Sequence, residues 1–206
     1  FGDVKIVVSG GAGGGFDAER IRVFEEEGVP VDTYGVGGAM QAGRDLVKIH
    51  DFTSCQLLLD VGGGSGGLAL AITQAHPHLR AAVVDLPSVT PVAQRFVEAA
   101  GAQGRVEVIA ADPVREPLTL PCDVAIMRAF LQVLSREAAA QALRNVAAAV
   151  KPGRVIFIMG SGILGAAYTE SEHRQWLADA GFGAFERIAV GGGTSVIKAH
   201  DQPSRA

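Results

Sequence analysis

The sequence predicts an α/β fold whose sheet is mostly parallel and ends in an antiparallel hairpin. From Gln41 onward, apolar strand segments alternate with helical segments, which is typical of a parallel sheet. One strand ends near Asp60 and continues through a glycine-rich turn into a helix that begins near Leu68. Close to the C-terminus, two strands are separated only by the glycine-rich turn 191–194, which permits a hairpin and is too short for a helical crossover.

The individual elements follow from apolar runs, helical spacing and capping residues. Ser88 is placed to cap the helix that follows the second strand of this sheet. A later helix is expected to stop at Pro152-Gly153. The pattern Thr169-x-x-Glu172 forms a capping box for the last helix. The predicted strands of the sheet span residues 57–61, 81–84, 106–110, 123–127, 155–159, 185–190 and 195–199.

Composition limits the classes of protein to consider. A chain of 206 residues with 48% hydrophobic and 19% charged residues can form one domain, or one domain with an appendage, and is not expected to be disordered. The net charge of -4 argues against nucleic acid held by a general basic surface. Cys55 and Cys122 are expected to be reduced core thiols, and two cysteines cannot form a zinc site unaided. Without a long apolar run or a signal peptide, the chain is expected to be cytoplasmic, with no membrane partner.

The glycine-rich turn predicts a site for a nucleoside-containing cofactor. Gly62, Gly64 and Gly66 fit the spacing of S-adenosylmethionine (SAM) sites, whereas Gly62, Gly64 and Gly67 fit the fingerprint of dinucleotide folds. Asp85, at the end of the next strand, can accept hydrogen bonds from the ribose of either cofactor. The alternative is a tight strand–helix turn with a solvated aspartate. The terminal hairpin favours SAM, because it is typical of class I methyltransferases and not of dinucleotide dehydrogenases.

From about residue 39 to residue 200, the chain resembles the C-terminal catalytic domain of SAM-dependent O-methyltransferases of the hydroxyindole and caffeate type, including bacterial relatives. The resemblance rests on landmarks in the family's order: LLLDVGGGSGG, VVDLPSV, RVEVIAADP, DVAIMRAFLQVLS, AAVKPG, YTESEHRQWLADAGF and TSVIKA. It implies a Rossmann-like class I methyltransferase fold, SAM as the cofactor and O-methylation of a small-molecule acceptor, with no metal.

The resemblance also implies a set of cofactor-binding residues in the turns that follow the strands. They are Asp60, Gly62, Gly64, Gly66, Asp85, Leu86, Asp112, Pro113 and Arg128. The aspartate and glycines of the first turn would line the methionine end of SAM. Asp85, after the second strand, would hold the ribose, and the pair after the third strand would lie near the adenine. Arg128 falls where the family has a lysine or arginine that contacts the cofactor, although Asp112 and Arg128 could instead be surface charges at strand ends.

The expected catalytic position departs from the family. Where the family has a His-Asp pair whose histidine removes the acceptor's hydroxyl proton, this chain has Gln132 and Val133. Glutamine cannot accept a proton at pH 7, so it can only orient an acceptor through its amide. Among the other histidines, His173 is the one candidate for a replacement base, with a helix-surface or partly buried histidine as the alternative. An acceptor that is already nucleophilic would need no base.

Two further differences concern the walls of the acceptor site. Only residues 165–167 separate Leu164 from Tyr168, where the family has a longer segment, and residues 1–38 are not expected to supply the family's helical N-terminal domain. The acceptor site is therefore expected to be incomplete, and the family's usual dimer is not expected. The alternative to an enzyme is a SAM-binding module or truncated remnant without turnover.

Residues 1–38 are predicted to form a separate appendage, and residues 39–206 the methyltransferase domain. Within the appendage, residues 4–8 and 31–34 predict strands around a helix at 17–27, followed by a glycine-rich loop. The run FDAERIRVFEEEGVPVDTYGVGG resembles part of the barrel of nicotinate phosphoribosyltransferase. A single βαβ fragment cannot close a barrel, so phosphoribosyl transfer is not expected from it.

Overall fold

The computed structural model describes residues 7–9, 26, 33–35, 38–160, 168–191 and 194–201. The strands are β1 (Val7–Ser9), β2 (Thr33–Gly35), β3 (Leu57–Val61), β4 (Arg80–Asp85), β5 (Val106–Ala110), β6 (Cys122–Arg128), β7 (Val150–Gly160), β8 (Phe182–Gly191) and β9 (Thr194–Asp201). The α-helices are α1 (Gly38–Ile49), α2 (Gly67–Ala75), α3 (Thr90–Ala99), α4 (Arg136–Ala147) and α5 (Glu170–Asp179). A short 3-10 helix spans Leu131–Val133.

Seven strands form one sheet in the order β5-β4-β3-β6-β7-β9-β8. Strands β3 to β7 pair in parallel, whereas β9 is antiparallel to both β7 and β8. The predicted fold class, with its terminal antiparallel hairpin, is therefore confirmed. The chain winds from β3 outward to β5 and then returns to β6 on the other side of β3. Ligands of such sheets bind in the crevice at this switch point, beyond the carboxyl ends of the strands.

The two faces of the sheet are covered by separate apolar cores. Successive side chains of a strand point to opposite faces, so the fully buried Leu58 and Leu59 enter different cores. Leu58 packs in the core that includes Phe157 and α2, and Leu59 in the core that includes Leu143 and Trp176. Burial on both faces explains why these strands are almost continuously apolar in the sequence.

Two predictions about helix ends are wrong. Ser88 does not cap α3, because that helix begins at Thr90 with Val89 at the N-cap position and no side-chain cap bond. Pro152 and Gly153 do not stop α4, which ends at Ala147. Instead they lie within β7, where Gly153 has a φ of +73°. The predicted capping box is confirmed, since the Thr169 hydroxyl accepts from the backbone N–H of Glu172 and the Glu172 side chain accepts from that of Thr169.

At the N-terminus, β1 and β2 form a separate two-stranded parallel sheet. The predicted helix at 17–27 lies outside the described residues except for Glu26, which is helical. Within the described ranges, no helix is long and apolar enough to cross a bilayer. The same ranges contain no group of three or more His, Cys, Asp or Glu side chains that could hold a metal ion.

Asp123 joins the amino ends of three strands at the edge of the sheet opposite the switch point. Its side chain is 2% exposed and Oδ2 accepts the backbone N–H groups of Gln56 and Leu57, at 2.8 and 3.0 Å. Oδ1 lies 3.1 Å from Nζ of Lys151 and 3.3 Å from Nε of Arg154. Burial alone would raise the pKa of Asp123, but these N–H groups and Lys151 outweigh it and hold the pKa below its usual value.

Replacing Asp123 with alanine is expected to lower the free energy of unfolding by about 3 kcal/mol, because buried N–H groups and two cations lose their acceptor. The pKa of Asp123 is lowered in the folded state, so its contribution is present above the unfolded pKa and is lost as the pH falls through the folded pKa. Urea unfolding at pH 7 and pH 3 measures both effects. The exposed Asp179→Ala is the control, and an equal loss in the two variants would contradict this role for Asp123.

Candidate active site

The turn after β3 has a backbone that only glycine accommodates. Gly62 has a φ of +67° and Gly66 a φ of +77°, both in the left-handed region. A Cβ atom on Gly62 would lie 2.5 Å from Cδ2 of Phe130, and one on Gly66 would lie 2.8 Å from a methyl group of Val83. The turn therefore packs tightly against Phe130, in the segment after β6, and against β4. It leads directly into the N-terminus of α2, an arrangement that is typical of cofactor-binding turns.

Asp60 is buried beneath this turn, with 1% of its surface exposed. Its Oδ2 accepts the backbone N–H of Ala69 in the first turn of α2, at 3.2 Å. Burial raises the pKa of Asp60 to about 7, although the Ala69 N–H and the nearby Arg128 favour the charged form. Burial also lowers the pKa of Arg128, an effect that Asp60 opposes. Asp60 and Arg128 thus form an electrostatic pair at the ends of adjacent parallel strands.

Asp85 connects the glycine-rich turn to the end of β4. Its Oδ2 accepts the backbone N–H of Gly64 and its Oδ1 accepts that of Leu86, both at 2.8 Å. The Gly62 N–H donates to the carbonyl of Val84, also at 2.8 Å, which holds the turn against the same strand. Each carboxylate oxygen can accept further hydrogen bonds, so Asp85 can still bind hydroxyl groups. The side chain of Leu86 beside it is 43% exposed.

Asp112 and Pro113 follow β5 at the same edge of the sheet. The Ala111 N–H donates to the backbone carbonyl of Asp85 at 3.0 Å, which places this segment next to the Asp85 turn. The Asp112 carboxylate accepts the backbone N–H of Val114 at 3.0 Å and lies 3.3 Å from Nε of Arg115. The carboxylate is therefore engaged locally, in contrast to Asp60 and Asp85, which bind groups of the glycine-rich turn and α2.

A cavity of about 340 Å³ adjoins the glycine-rich turn. It lies between the 3-10 helix, the carboxyl end of β7, the β8–β9 hairpin and the start of α5. Phe130 belongs to both regions, because it lines the cavity and its ring lies against Gly62. The polar side chains that line the cavity are Gln132, Tyr168, Thr169, Glu170, His173, Arg187 and Ser195. The apolar lining includes Met159 and Ile197. The cavity could thus hold a small organic molecule beside the turn.

Gln132 reaches this cavity because the chain turns sharply after β6. Ala129 has a φ of +52°, which is uncommon for a residue other than glycine, and the 3-10 helix follows directly. Oε1 of Gln132 lies 3.2 Å from the position that a Cβ on Gly160 would occupy. The Gln132 amide therefore lies beside the carboxyl end of β7. Val133, at the next position, is 68% exposed and does not line the cavity.

His173 shares the cavity with Gln132, although the two residues are 41 positions apart in the sequence. Burial lowers the pKa of His173, and a backbone hydrogen bond with Thr169 opposes this effect. Glu170 and Arg187 also line the cavity. Sequence reasoning did not identify Glu170 or Arg187 as site residues, because α5 and β8 approach Gln132 only in the folded protein. No local motif could have indicated that approach.

Comparison with known proteins agrees with this architecture. The sequence model of the O-methyltransferase domain family matches residues 39–194. The 3-hydroxy-5-methyl-1-naphthoate 3-O-methyltransferase of Streptomyces sahachiroi is 30% identical over 159 residues, which cover 67% of this chain and 46% of that protein. The tetracenomycin polyketide synthesis 8-O-methyl transferase TcmO of Streptomyces glaucescens is 28% identical over 219 residues, covering 93% of this chain and 61% of that protein.

Among solved structures, the S-adenosylmethionine-dependent methyltransferase SibL in its apo form superposes with a TM-score of 0.72 at 26% identity, covering 80% of this chain and 56% of that one. The chain thus spans 46% and 61% of the lengths of the two curated relatives. The family match covers more than half of the chain and includes the glycine-rich turn and six of the seven strands of the sheet, β3 to β8. This chain belongs to the O-methyltransferase domain family.

Proposed function

We propose that residues 39–206 bind SAM and transfer its methyl group to a small-molecule acceptor, nominally to an oxygen atom. The observation that carries this proposal is the contact between Phe130 and Gly62, which joins a glycine-rich cofactor turn to a cavity suited to an acceptor. SibL, which is SAM-dependent, supports SAM as the cofactor. The terminal antiparallel hairpin argues against a dinucleotide.

The residues at the switch point fit SAM chemically. Gly62 and Gly66 have positive φ angles and no Cβ, which lets the turn pack against Phe130 and Val83. Because these two residues bear no side chain, the N–H groups of the turn can come close to a ligand. Asp85, which already accepts two backbone N–H groups, would bind the ribose hydroxyls, and Leu86 would cover one side of the nucleoside. Asp60, Gly64 and Arg128 would surround the methionine end. We assign Asp112 and Pro113 to the adenine region, supported by the Ala111–Asp85 hydrogen bond.

Within this proposal, the chain contributes mainly by positioning the acceptor. SAM supplies a methyl group on a positively charged sulfur, which is already activated for transfer. Gln132 would orient the acceptor atom through a hydrogen bond from its amide, and Phe130 would hold the acceptor against the cofactor side. Fixing two reactants in this way supplies a large part of the rate enhancement even without a proton acceptor.

A second candidate is a SAM-binding module without turnover. It is favoured by Gln132 and Val133, which stand where the resemblance places the family's histidine and aspartate, because neither side chain can take a proton there. The two candidates share the cofactor side and differ only on the acceptor side. Binding of SAM therefore tests both together, and turnover separates them.

Isothermal titration of the purified chain with SAM, S-adenosylhomocysteine and NAD tests the cofactor assignment. We expect micromolar affinity for SAM and S-adenosylhomocysteine and no heat with NAD. Binding of NAD in preference to SAM would overturn the assignment, as would no response to any of the three ligands. A positive result justifies a screen of phenols, thiols and amines as acceptors.

Replacing Gln132 with alanine is expected to lower kcat about tenfold while leaving the Kd for SAM unchanged, because the amide would contact only the acceptor. Steady-state kinetics and titration of the same preparation measure the two quantities. Gln74→Ala, an exposed change on α2, is the control. A tenfold loss of SAM affinity in Gln132→Ala would contradict its placement on the acceptor side.

We propose no phosphoribosyl transfer for residues 4–38. The family match begins at residue 39, which supports the division into an N-terminal appendage and a methyltransferase domain. Of the appendage, the structure describes two three-residue strands and Glu26.

A further inference from the structure

We propose that His173 is the general base of this site and takes the proton from the acceptor's hydroxyl group. This inference rests on the proposed methyl transfer. It adds a proton acceptor to the site, a role that the amide of Gln132 cannot fill. His173 is far from Gln132 in the sequence, and the fold places both side chains in the wall of one cavity.

The imidazole of His173 is held in a defined position. Its ring packs edge-to-face against Tyr168 and Trp176, with centroid distances of 6.2 and 5.8 Å. His173 lies in the first turn of α5, which the Thr169–Glu172 capping box fixes. Glu172 also forms an ion pair with Arg136 of α4, which ties the start of α5 to the neighbouring helix. The imidazole is therefore held at the wall of the cavity, where an acceptor would have to come within hydrogen-bond reach of it for proton transfer.

The other titratable side chains of the cavity already have hydrogen-bond or ion-pair partners. The Tyr168 hydroxyl donates to the backbone carbonyl of Leu134 at 2.6 Å. Glu170 is bound by Arg174 at 2.7 Å and Arg187 at 3.4 Å. The hydrogen bonds and charges of these arginines lower its pKa, which makes it a weaker base. Arg187 is a permanent cation. Among the described cavity residues, His173 is therefore the side chain that can accept a proton near neutral pH.

The charge state of His173 suits this role. Burial lowers its pKa, so the imidazole is neutral at pH 7 and one ring nitrogen carries a lone pair. The backbone of Thr169 opposes part of this shift by a hydrogen bond. The charged groups around the cavity are Glu170 of α5 and Arg187 of β8, and Arg136 of α4 lies over the Tyr168 ring. Activity is therefore expected to fall as the pH drops and His173 becomes protonated.

The proposed step breaks two bonds and forms two. The acceptor's O–H bond breaks and its proton passes to a ring nitrogen of His173, while the oxygen forms a bond to the methyl carbon. The C–S bond breaks, and its electron pair stays on sulfur to give the neutral thioether S-adenosylhomocysteine. The imidazolium then returns its proton to solvent. No oxidant, reductant or metal is required.

Nuclear magnetic resonance of the full chain tests the placement of His173 without turnover. With 15N-labelled histidine, we expect the His173 signals to report a neutral ring at pH 7 and to shift when 1-naphthol is added. The signals of the exposed His78, which follows the C-terminus of α2 and so lies at the end away from the glycine-rich turn, should not shift. Loss of a signal in His173→Gln assigns it. No response of His173 to millimolar 1-naphthol would overturn the proposal.

Kinetics then separate a base from a structural residue. His173→Gln should lower kcat for 1-naphthol by about 100-fold or more, while the Kd for SAM and the rate with the readily ionised 4-nitrophenol stay near wild type. Equal losses with both phenols would refute the base, and so would full activity with 1-naphthol. His78→Gln is the control. A wild-type chain that binds SAM and shifts His173 with naphthol but transfers no methyl group would instead refute the proposed function, and the base role with it.

Discussion

Replacing Asp85 with alanine is expected to weaken SAM binding by about 100-fold or more. The carboxylate would accept hydrogen bonds from two ribose hydroxyls, and hydrogen bonds to a charged group each contribute about 1.5–3 kcal/mol. The same side chain holds the N–H groups of Gly64 and Leu86, so its loss also loosens the glycine-rich turn. Titration calorimetry with SAM and S-adenosylhomocysteine should give the same fold-change for both, because they share the ribose.

Two further variants locate the origin of this loss. Asp85→Asn retains an acceptor oxygen and should lose less affinity than Asp85→Ala. Asp112→Ala should lose less than tenfold, because the Asp112 carboxylate is engaged with Val114 and Arg115. SAM affinity that is unchanged in Asp85→Ala would remove the ribose assignment, and with it the main support for the cofactor site.

Replacing Asp60 with asparagine is expected to stabilise the ligand-free protein and to weaken SAM binding at the same time. Burial raises the pKa of Asp60 to about 7. Between about pH 4 and pH 7, the unfolded chain carries an ionised Asp60 while the folded chain retains its proton, so the free energy of unfolding falls as the pH rises through this interval. Asparagine carries no charge and so removes this cost. At pH 8 the free energy of unfolding of Asp60→Asn should exceed that of the wild type by about 1–3 kcal/mol, a figure that allows for the cost of burying an unpaired amide.

Thermal unfolding and SAM titration, each at pH 5.5 and pH 8, measure the gain in stability and the loss of SAM affinity. For the wild type, SAM should bind more tightly at pH 8, because an ionised Asp60 attracts the positively charged ligand. For Asp60→Asn, the affinity should be lower and nearly independent of pH. A variant that is less stable than the wild type at pH 8 would show that Asp60 is not a destabilising charge in the folded protein.

The arrangement of Asp60, the glycine-rich turn and Asp85 could be predicted from the sequence because its parts are local. The turn, its glycines and Asp60 lie in one stretch of the chain, and Asp85 ends the next strand of a parallel sheet. The acceptor side depends on where α5 and the β8–β9 hairpin pack, so Glu170 and Arg187 gave no local signal, and His173 could be named only as a candidate.

Two local rules for helix ends also failed. Helix α3 begins at Thr90 and not directly after Ser88. Pro152 does not end a helix, because it lies within β7, where the register between β6 and β7 shifts.

Phe130 gives the two halves of the site a common wall. Its ring lies so close to Gly62 that a single added carbon would overlap it, and the same residue lines the neighbouring cavity. A shift of the Gly62 backbone must therefore displace the ring, and a shift of the ring changes the shape of the cavity. If SAM and an acceptor occupy the two sides as proposed, their affinities are expected to be linked, and that linkage is reciprocal by thermodynamic necessity. A bound acceptor should then change the Kd for SAM by the same factor as bound SAM changes the Kd for the acceptor.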